Sequence, residues 1–229
     1  MVKIILCRIM PQRTALILGS TGLVGSECLK YLLESEMYTR VYAVTRRPLK
    51  IEHTKLVNIV ADFDMPDLAL QNVNTDDVYC TLGTTIAKAG SQEEFRKVDF
   101  KYPLHFAKIL LLKGANRFFL VSATGADHRS SIFYNRVKGE LEEALISLPY
   151  QSLVILRPSI LLGNRNEQRV GEQVGQWVAS RLSFLFVGPL ANYKGIPATV
   201  VAKAMVNIAA KSTTGLTILE NPDIFKAAV

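Results

Sequence analysis

Tyr134 and Lys138 are the side chains whose types and spacing best suit proton transfer. They lie four residues apart in FYNRVKGELEEAL, a segment with helical apolar spacing, so both fall on one helix face. A phenol has an ordinary pKa of about 10 and is a poor acid or base at neutral pH unless a cation stabilises the phenolate. The Lys138 ammonium could be that cation. Of the eight tyrosines, only Tyr134 has a lysine four residues further on, although exposed Tyr/Lys pairs without a catalytic role are also common.

Three glycines in TALILGSTGLVGSECLKYLL, residues 14–33, could hold a phosphate group. Gly19 follows an apolar run, and Gly22 and Gly25 open a helical pattern. Glycines at these places allow a tight turn and a close approach to a pyrophosphate, and the helix N-terminus adds unpaired N–H groups. The spacing is GxxGxxG, one residue wider in its first gap than GxGxxG. A plain strand-to-helix turn explains one glycine but hardly three, so the pattern predicts a dinucleotide-binding loop.

The second predicted strand ends in VTRRP, and its last residues predict the choice of cofactor. Enzymes that use the unphosphorylated dinucleotide commonly carry an acid there, but no Asp or Glu occurs from Met37 to Ile51. The guanidinium groups of Arg46 and Arg47 could pair with a 2′-phosphate. This favours NADPH over NADH, and the alternative is that the two arginines lie in a solvated loop.

The elements that must position these residues follow an alternating pattern. Short apolar runs of strand length lie at 14–18, 41–45, 56–60, 77–82, 118–122 and 152–156. Segments with helical spacing separate several of them, and Ser91 with Glu94 forms a capping box. Continuous apolar strands separated by helices are typical of a parallel sheet covered on both faces. The sequence therefore predicts a doubly wound α/β fold, with a further helix from Ala198 and a last short strand around TILE.

Composition narrows the function classes. The chain has 229 residues, 49% of them hydrophobic, and a net charge of +7, which fits one domain. Its basic residues are scattered, which favours a basic surface that accepts an anionic ligand over nucleic-acid binding. The apolar runs are too short for a membrane-spanning helix. The start, MVKIILCRIM, lacks the features of a signal peptide, and Met10 is an alternative start.

The cysteines indicate the compartment. Cys7, Cys28 and Cys80 are odd in number, widely spaced and free of any CxxC, which argues against a disulfide framework and against a zinc site. We therefore expect a reducing compartment, and a cytoplasmic protein.

The combined motifs resemble the short-chain dehydrogenase/reductases in their extended or atypical branch. More closely, LGSTGLVG, TRRPL, CTLGTTIAKAG, VSATGAD, YNRVKGELE and LRPSILLGNRNEQRVGE are similar to the Tat-interacting oxidoreductase family and its bacterial relatives. The likeness runs from about Thr14 to near the C-terminus and includes TVVAKAM. It implies one NAD(P)-binding Rossmann domain over residues 1–229, with a core of about 12–158 and a small substrate-side segment of about 159–215.

The resemblance also implies the site residues. The catalytic set is Tyr134, Lys138 and Ser122, with Ser122 at the end of the fifth strand. Asp62, after the third strand, matches a position that meets the adenine. The positions that match cofactor contacts are Gly19, Ser20, Thr21, Gly22, Leu23, Val24, Gly25, Arg46, Arg47, Asp62, Leu82, Gly83, Thr84, Lys138 and Pro158.

Two positions depart from the family's pattern. The family usually has two adjacent serines after the fifth strand, whereas this chain has Ser122, Ala123 and Thr124, with Ala123 in the more commonly catalytic place. Either Ser122 or Thr124 substitutes, or the hydroxyl that polarises a carbonyl is missing. Asp99 stands where extended members often have Asn.

Other candidate residues are weaker. His53, His105 and His128 share no metal-ligand spacing, and His128 is best interpreted as a solvated loop histidine. In GNRNEQRVGE, Arg165 or Arg169 could contact an anionic substrate, or the stretch could be a surface loop.

Three functions follow as hypotheses. The first is an NADPH-dependent oxidoreductase for a small carbonyl or hydroxyl compound, with Tyr134 as proton donor. The second is a nucleotide-sugar epimerase or dehydratase, against which stands the short chain after the sixth strand. The third is a non-catalytic protein that binds NADPH and senses it or engages a protein partner.

Overall fold

A computed structural model describes residues 12–163, 194–211 and 213–229. Its strands are β1 (Arg13–Leu18), β2 (Tyr38–Thr45), β3 (Leu56–Val60), β4 (Asp77–Cys80), β5 (Arg117–Val121), β6 (Ser152–Arg157), β7 (Leu161–Leu162), β8 (Ile196–Pro197) and β9 (Gly215–Glu220). Its helices are α1 (Leu23–Glu34), α2 (Ile86–Ala89), α3 (Gln92–Arg96), α4 (Tyr102–Leu112), α5 (Phe133–Ile146), α6 (Ala198–Ala210) and α7 (Asn221–Ala227). A π-helical segment, Lys97–Lys101, joins α3 to α4.

The main sheet has the order β3-β2-β1-β4-β5-β6-β9, and its paired strands are all parallel. This confirms the predicted doubly wound α/β fold. From β1 the chain adds β2 and β3 on one side of the sheet and then crosses to β4 on the other side of β1. Loops therefore diverge at the carboxyl ends of β1 and β4, and ligands of such sheets bind in the resulting crevice.

The sheet separates two apolar clusters. One contains the inner residues of α1 and α6, and the other those of α4 and α5. Cys28 lies in the first cluster and Cys80 in the second, and both are buried free thiols. Strands covered on both faces are largely apolar, which is why β4 and β5 are continuous apolar runs after their first residues, Asp77 and Arg117.

A buried polar network lies at the amino ends of β4 and β5. Arg117 forms an ion pair with Asp77 and donates from Nη1 to the carbonyl of Ala209 in α6, at 2.6 Å. The Tyr38 hydroxyl donates to Asp77 at 2.5 Å and lies 2.6 Å from the Tyr79 hydroxyl. These contacts tie three strands and α6 together at the end of the sheet opposite the crevice.

Several elements were not predicted from the sequence. They are α2, α7, the π-helical segment and the small β7–β8 pair. Ser91 is the N-cap of α3, because its hydroxyl accepts from the backbone N–H of Glu94 at 3.1 Å, which is one of the two hydrogen bonds of the predicted capping box. The predicted helix from Ala198 and the last strand are confirmed as α6 and β9.

Candidate active site

The turn between β1 and α1 packs tightly on the end of β4. Gly19 has a φ of +84°, and a Cβ atom there would lie 2.8 Å from the carbonyl carbon of Thr81. A Cβ atom on Gly25 would lie only 2.0 Å from the carbonyl oxygen of Gly19. Both positions exclude a side chain. The tight packing brings the first turn of α1 to the crevice.

The first turn of α1 is free of acidic side chains and has no side-chain cap. Its N–H groups therefore face the crevice with the partial positive charge of the helix end. Ser20 is 3% exposed, and its hydroxyl has no hydrogen-bond partner among the described residues. A buried hydroxyl without a partner is costly, so this turn suits a polar ligand that reaches both the hydroxyl and the N–H groups.

A cleft of about 490 Å³ runs from this turn to the first turns of α5. It brings together many of the predicted site residues, namely Thr21, Gly22, Leu23, Val24, Leu82, Gly83, Thr84, Ser122, Tyr134 and Lys138. It is also lined by Ser26, Thr81, Thr85, Lys88, Asp99, Val121 and Leu161, which the sequence analysis did not assign to cofactor or catalysis.

Thr81 is one residue that sequence reasoning missed. Its backbone N–H and its hydroxyl both donate to the carbonyl of Leu18, at 2.9 and 2.8 Å. A Cβ atom on Gly25 would lie 2.6 Å from the Thr81 hydroxyl. Thr81 therefore joins the ends of β1 and β4 beneath the glycine turn.

Lys138 is held by a buried carboxylate. Its Nζ lies 2.8 Å from Oδ1 of Asp99, and the backbone N–H of Thr84 donates to Oδ2 of the same residue, also at 2.8 Å. Asp99 is fully buried and Lys138 is 4% exposed. Burial is the largest single influence on Lys138 and lowers its pKa, but the charge and hydrogen bond of Asp99, together with Tyr134 and Cys80, raise it by more in sum, so the net pKa lies above the ordinary value. Lys138 therefore carries its positive charge in the cleft.

Asp99 belongs to the π-helical segment between α3 and α4. Such segments are rare and often mark functional sites, because the extra residue in the turn redirects a side chain. Here the π-helical segment lies between the loop after β4 and helix α5. Asp99 contacts both, through the Thr84 N–H in the loop and the Lys138 ammonium on α5. The departure at Asp99 is a sequence signal for this role, but no residue pattern indicates the π-helical turn.

Tyr134 lies on the exposed side of Lys138. It lines the cleft, is partly buried and packs on Phe95, with ring centroids 5.5 Å apart. The predicted pairing on one face of α5 places the phenol and the ammonium in the same cleft.

Ser122 faces a second buried carboxylate. Its hydroxyl donates to Oε1 of Glu142 at 2.5 Å. Glu142 is 3% exposed, and Arg157 pairs with it through Nε and Nη2 while Nη1 binds Glu220 at 3.1 Å. The hydroxyl hydrogen of Ser122 is therefore directed away from the cleft, toward Glu142. Neither Glu142 nor Arg157 was singled out from the sequence.

Ala123 and Thr124 supply no free donor in place of Ser122. Ala123 is buried, and the Thr124 hydroxyl donates to the carbonyl of Arg157 at 3.0 Å. Pro158 is also buried, and its carbonyl accepts from the backbone N–H of Thr124 at 2.9 Å. Pro158 thus supports the loop after β5 from the end of β6 and does not line the cleft.

The other predicted residues lie away from the cleft lining. Gly19, Ser20 and Gly25 form the turn beneath it, whereas Arg46, Arg47 and Asp62 are exposed at the carboxyl ends of β2 and β3. Asp62 accepts from the backbone N–H of Asp64 at 2.9 Å. The segment with Arg165 and Arg169, together with Cys7, Met1 and Met10, lies outside the described residues.

The histidines are not gathered into a site. His128 is 39% exposed at its side chain and lies 2.9 Å from Glu143, and His105 lies 3.5 Å from Asp67. His53 is exposed. Within residues 12–163, 194–211 and 213–229, no cluster of three His, Cys, Asp or Glu side chains is placed to hold a metal ion.

The match to a known family covers most of the chain. Residues 15–221 match the NAD dependent epimerase/dehydratase family. The chain belongs to this family. Two relatives extend the likeness along almost the same length. Protein HTATIP2 of Rattus norvegicus is 34% identical over 94% of this chain and 89% of its own, and the protein FMP52, mitochondrial, of Kluyveromyces lactis is 34% identical over 93% and 98%. The first of these confirms the resemblance to the Tat-interacting oxidoreductases.

Solved structures confirm the fold. MoeE5 in complex with UDP-glucuronic acid and NAD has a TM-score of 0.68 at 18% identity, covering 90% of this chain and 75% of its own. The ADP-L-glycero-D-manno-heptose-6-epimerase of Helicobacter pylori has a TM-score of 0.66 at 18% identity, covering 92% and 77%. The family and fold agree with the predicted enzyme class, an NAD(P)-dependent oxidoreductase. In the described part of the chain, no helix is long and apolar enough to span a membrane.

Proposed function

We propose that the protein is an NADPH-dependent oxidoreductase that acts on a small carbonyl or hydroxyl compound. The observation that carries this proposal is the cleft itself, which joins the open N-terminus of α1 to Tyr134 and Lys138 on α5. The helix N-terminus at one end of the cleft suits the pyrophosphate of a nicotinamide dinucleotide. The phenol and the buried ammonium at the other end suit the proton transfer that accompanies hydride transfer.

The residues around the glycine turn fit a dinucleotide. The Ser20 hydroxyl needs a partner, and Gly19 and Gly25 leave a surface without side chains. The pyrophosphate would contact this turn and the first N–H groups of α1. Arg46 and Arg47 are exposed beyond β2, the strand next to β1, and form no ion pair within the described residues. Their guanidinium groups are therefore available to bind a 2′-phosphate, which supports NADPH over NADH as the cofactor.

The groups on α5 fit the chemical step. When bound, the nicotinamide supplies or accepts the hydride. Tyr134 would then donate or accept the proton at the substrate oxygen, because its phenol is the exposed acid at that end of the cleft. Lys138 keeps a positive charge beside it and would also hold the ribose hydroxyls. In this proposal the Ser122 oxygen can accept only from a hydroxyl group of the substrate, because its own hydrogen is already donated to Glu142. A carbonyl oxygen, which only accepts, is bound by Tyr134.

The cofactor part of the proposal is tested by calorimetry. We expect NADPH to bind more tightly than NADH, and the double variant Arg46→Ala/Arg47→Ala to lose most of the difference while keeping its affinity for NADH. A charge-assisted bidentate contact contributes about 1.5 to 3 kcal/mol, so the loss should be roughly tenfold or more. A matched control is Arg40→Ala, an exposed arginine of β2 outside the loop. Equal affinities in the unmodified protein would contradict the NADPH preference.

The reaction is tested by a screen of small aldehydes, ketones and alcohols that follows NADPH absorbance. Net oxidation or reduction supports the proposal. An epimerase is the second candidate, because structural relatives are described with UDP-sugars and NAD. It predicts that the cofactor returns to its starting redox state, so UDP-sugars would interconvert without net change in absorbance. Chromatography of UDP-sugar mixtures distinguishes the two.

A non-catalytic role is favoured by one observation. Neither Ser122 nor Thr124 directs its hydroxyl hydrogen into the cleft. If tight NADPH binding is found without any turnover in either screen, the protein is a cofactor-loaded binding protein. Ala123→Ser then tests whether a restored hydroxyl restores chemistry. A cytoplasmic location stays a prediction, and two yeast relatives have the word mitochondrial in their names.

A further inference from the structure

Asn58, on the edge strand β3, spans the loop that carries Arg46 and Arg47. Its Nδ2 donates to the carbonyl of Ala43 at 2.9 Å and to the hydroxyl of Thr45 at 2.8 Å. Its Oδ1 accepts from the backbone N–H of Leu49, also at 2.8 Å. Both amide hydrogens and the carbonyl oxygen are therefore used, and they reach both ends of the loop.

The Thr45 hydroxyl continues this chain of hydrogen bonds into the loop. It accepts from Asn58 and donates to the carbonyl of Arg47 at 2.8 Å. The backbone is thus held before Arg46, at Arg47 and again at Leu49. Pro48, the remaining residue, has its φ fixed by its ring. The backbone of the two exposed arginines is ordered although their side chains make no ion pair in the described part of the chain.

We propose that Asn58 is a positioning residue for cofactor selection, which holds the Arg46–Arg47 backbone ready for a 2′-phosphate. The inference rests on the NADPH preference proposed above. Ordering the loop before the ligand arrives removes an entropic cost from binding, and the gain is specific to a ligand that contacts the arginines. NADH, which lacks the phosphate, gains nothing from it.

The residue type supports a role beyond the sheet. Asn is disfavoured in strands, where β-branched residues pack best, and the neighbours of Asn58 on β3 are Val57 and Ile59. The amide is what the loop requires, because it alone supplies two donors and one acceptor at this place.

The test measures the affinities of Asn58→Ala for NADPH and NADH by calorimetry. We expect the affinity for NADPH to fall roughly three- to tenfold, as for the loss of one or two pre-ordered side chains, with the affinity for NADH unchanged. Thr45→Val breaks the link to Arg47 and should reduce the preference in the same direction. Val57→Ala, an exposed change on the same strand, is the matched control and should leave both affinities unchanged.

A double-mutant cycle separates this role from a general structural one. In the Arg46→Ala/Arg47→Ala background, Asn58→Ala should produce no further loss of NADPH affinity, because the groups that it positions are gone. Amide hydrogen exchange gives a readout without cofactor, since the Leu49 N–H should exchange faster in Asn58→Ala.

The outcomes distinguish failure of the NADPH preference from failure of this inference. Equal affinities for NADPH and NADH in the unmodified protein overturn the NADPH preference and this inference together. A preference that survives Asn58→Ala unchanged overturns the inference alone, as does an equal loss of affinity for both cofactors. Should Asn58→Ala not fold, Thr45→Val decides, and an unchanged preference in that variant overturns the inference.

Discussion

The buried ammonium of Lys138 and the buried carboxylate of Asp99 neutralise each other in the cleft. An isolated charge at such depth is costly, and a hydrogen-bonded partner offsets that cost. The same pairing weakens the positive field at Tyr134, because the carboxylate lies 2.8 Å from the ammonium and opposes its charge. Asp99 therefore holds Lys138 in place but reduces its effect on the phenol.

Replacing Asp99 by Asn isolates this electrostatic effect. The amide oxygen can still accept from the Thr84 N–H, but the negative charge is removed. The positive charge of Lys138 then acts on the phenol without an opposing carboxylate, which favours the phenolate. For carbonyl reduction, which needs the protonated phenol, the alkaline limb of the pH profile should move to lower pH. Lys88 and Cys80 are the other ionisable groups near this pair, and both are unchanged in the variant. A pH profile identical to that of the unmodified enzyme would contradict this account.

Replacing Tyr134 by Phe tests the proton donor. The ring keeps its packing on Phe95, so affinity for NADPH should be nearly unchanged, while carbonyl turnover falls by roughly a hundredfold or more. Lys138→Ala should lower both, since its ammonium serves the phenol and the ribose. Tyr31→Phe, in a helix at the other end of the cleft, is the control that should keep full activity. Activity that survives Tyr134→Phe would remove Tyr134 from the catalytic set.

At the scale of elements, α5 does more than carry the pair predicted from its sequence. Tyr134, Lys138 and Glu142 follow one another at four-residue intervals and so lie on one face of the helix. The phenol and the ammonium line the cleft, and Glu142 holds Ser122 behind it. This face is set against the loop after β5 by Gly139, where a Cβ atom would lie 2.2 Å from the backbone nitrogen of His128.

Gly139→Ala should therefore move the helix rather than merely fill a space. The new methyl group meets backbone atoms of the loop, which cannot rotate away as a side chain would. We expect a loss of about 1 to 3 kcal/mol in the free energy of unfolding, together with reduced turnover, because Tyr134 and Lys138 shift with the helix. Urea unfolding and the carbonyl assay measure the two effects. Glu143→Ala, an exposed change one turn further along, should alter neither by a comparable amount. Wild-type stability in Gly139→Ala would show that the loop yields freely.

The elements that the sequence predicts are those encoded by local patterns. The glycine turn, the apolar strands and the N-cap at Ser91 each depend on a few neighbouring residues, and the structure contains all three. The partners of Lys138 and Ser122 depend instead on contacts between distant elements. Nothing near Asp99 indicates a π-helical turn, and Glu142 has the sequence context of an ordinary exposed helix residue. The charge pairs around the cleft can therefore be identified only from the three-dimensional structure.

At the scale of the whole molecule, the chain buries several groups that can lose a proton. Tyr38 and Tyr79 share hydrogen bonds at the amino end of the sheet, and Tyr150 donates to the carbonyl of Ala107 at 2.6 Å. Cys28 and Cys80 lie in the apolar clusters on opposite faces. Burial raises the pKa of each of these groups, for Tyr38 and Tyr79 with the help of nearby Asp77. The folded protein therefore keeps protons that the unfolded chain releases at alkaline pH.

The two thiols make this linkage measurable. Burial raises the pKa of Cys80 from about 9 to about 12, and it raises that of Cys28 as well. Because each pKa is higher in the folded state, the stabilisation is complete below pH 9 and is lost as the pH rises above it. The free energy of unfolding should fall by about 1.4 kcal/mol per pH unit for each thiol, with the tyrosines adding to the slope above pH 10. Urea unfolding with a reductant at pH 8 to 10.5 measures the slope. The double variant Cys28→Ala/Cys80→Ala retains Cys7. Its free energy of unfolding should fall less steeply between pH 9 and 10 than that of the unmodified protein. Parallel curves for the variant and the unmodified protein would contradict the prediction.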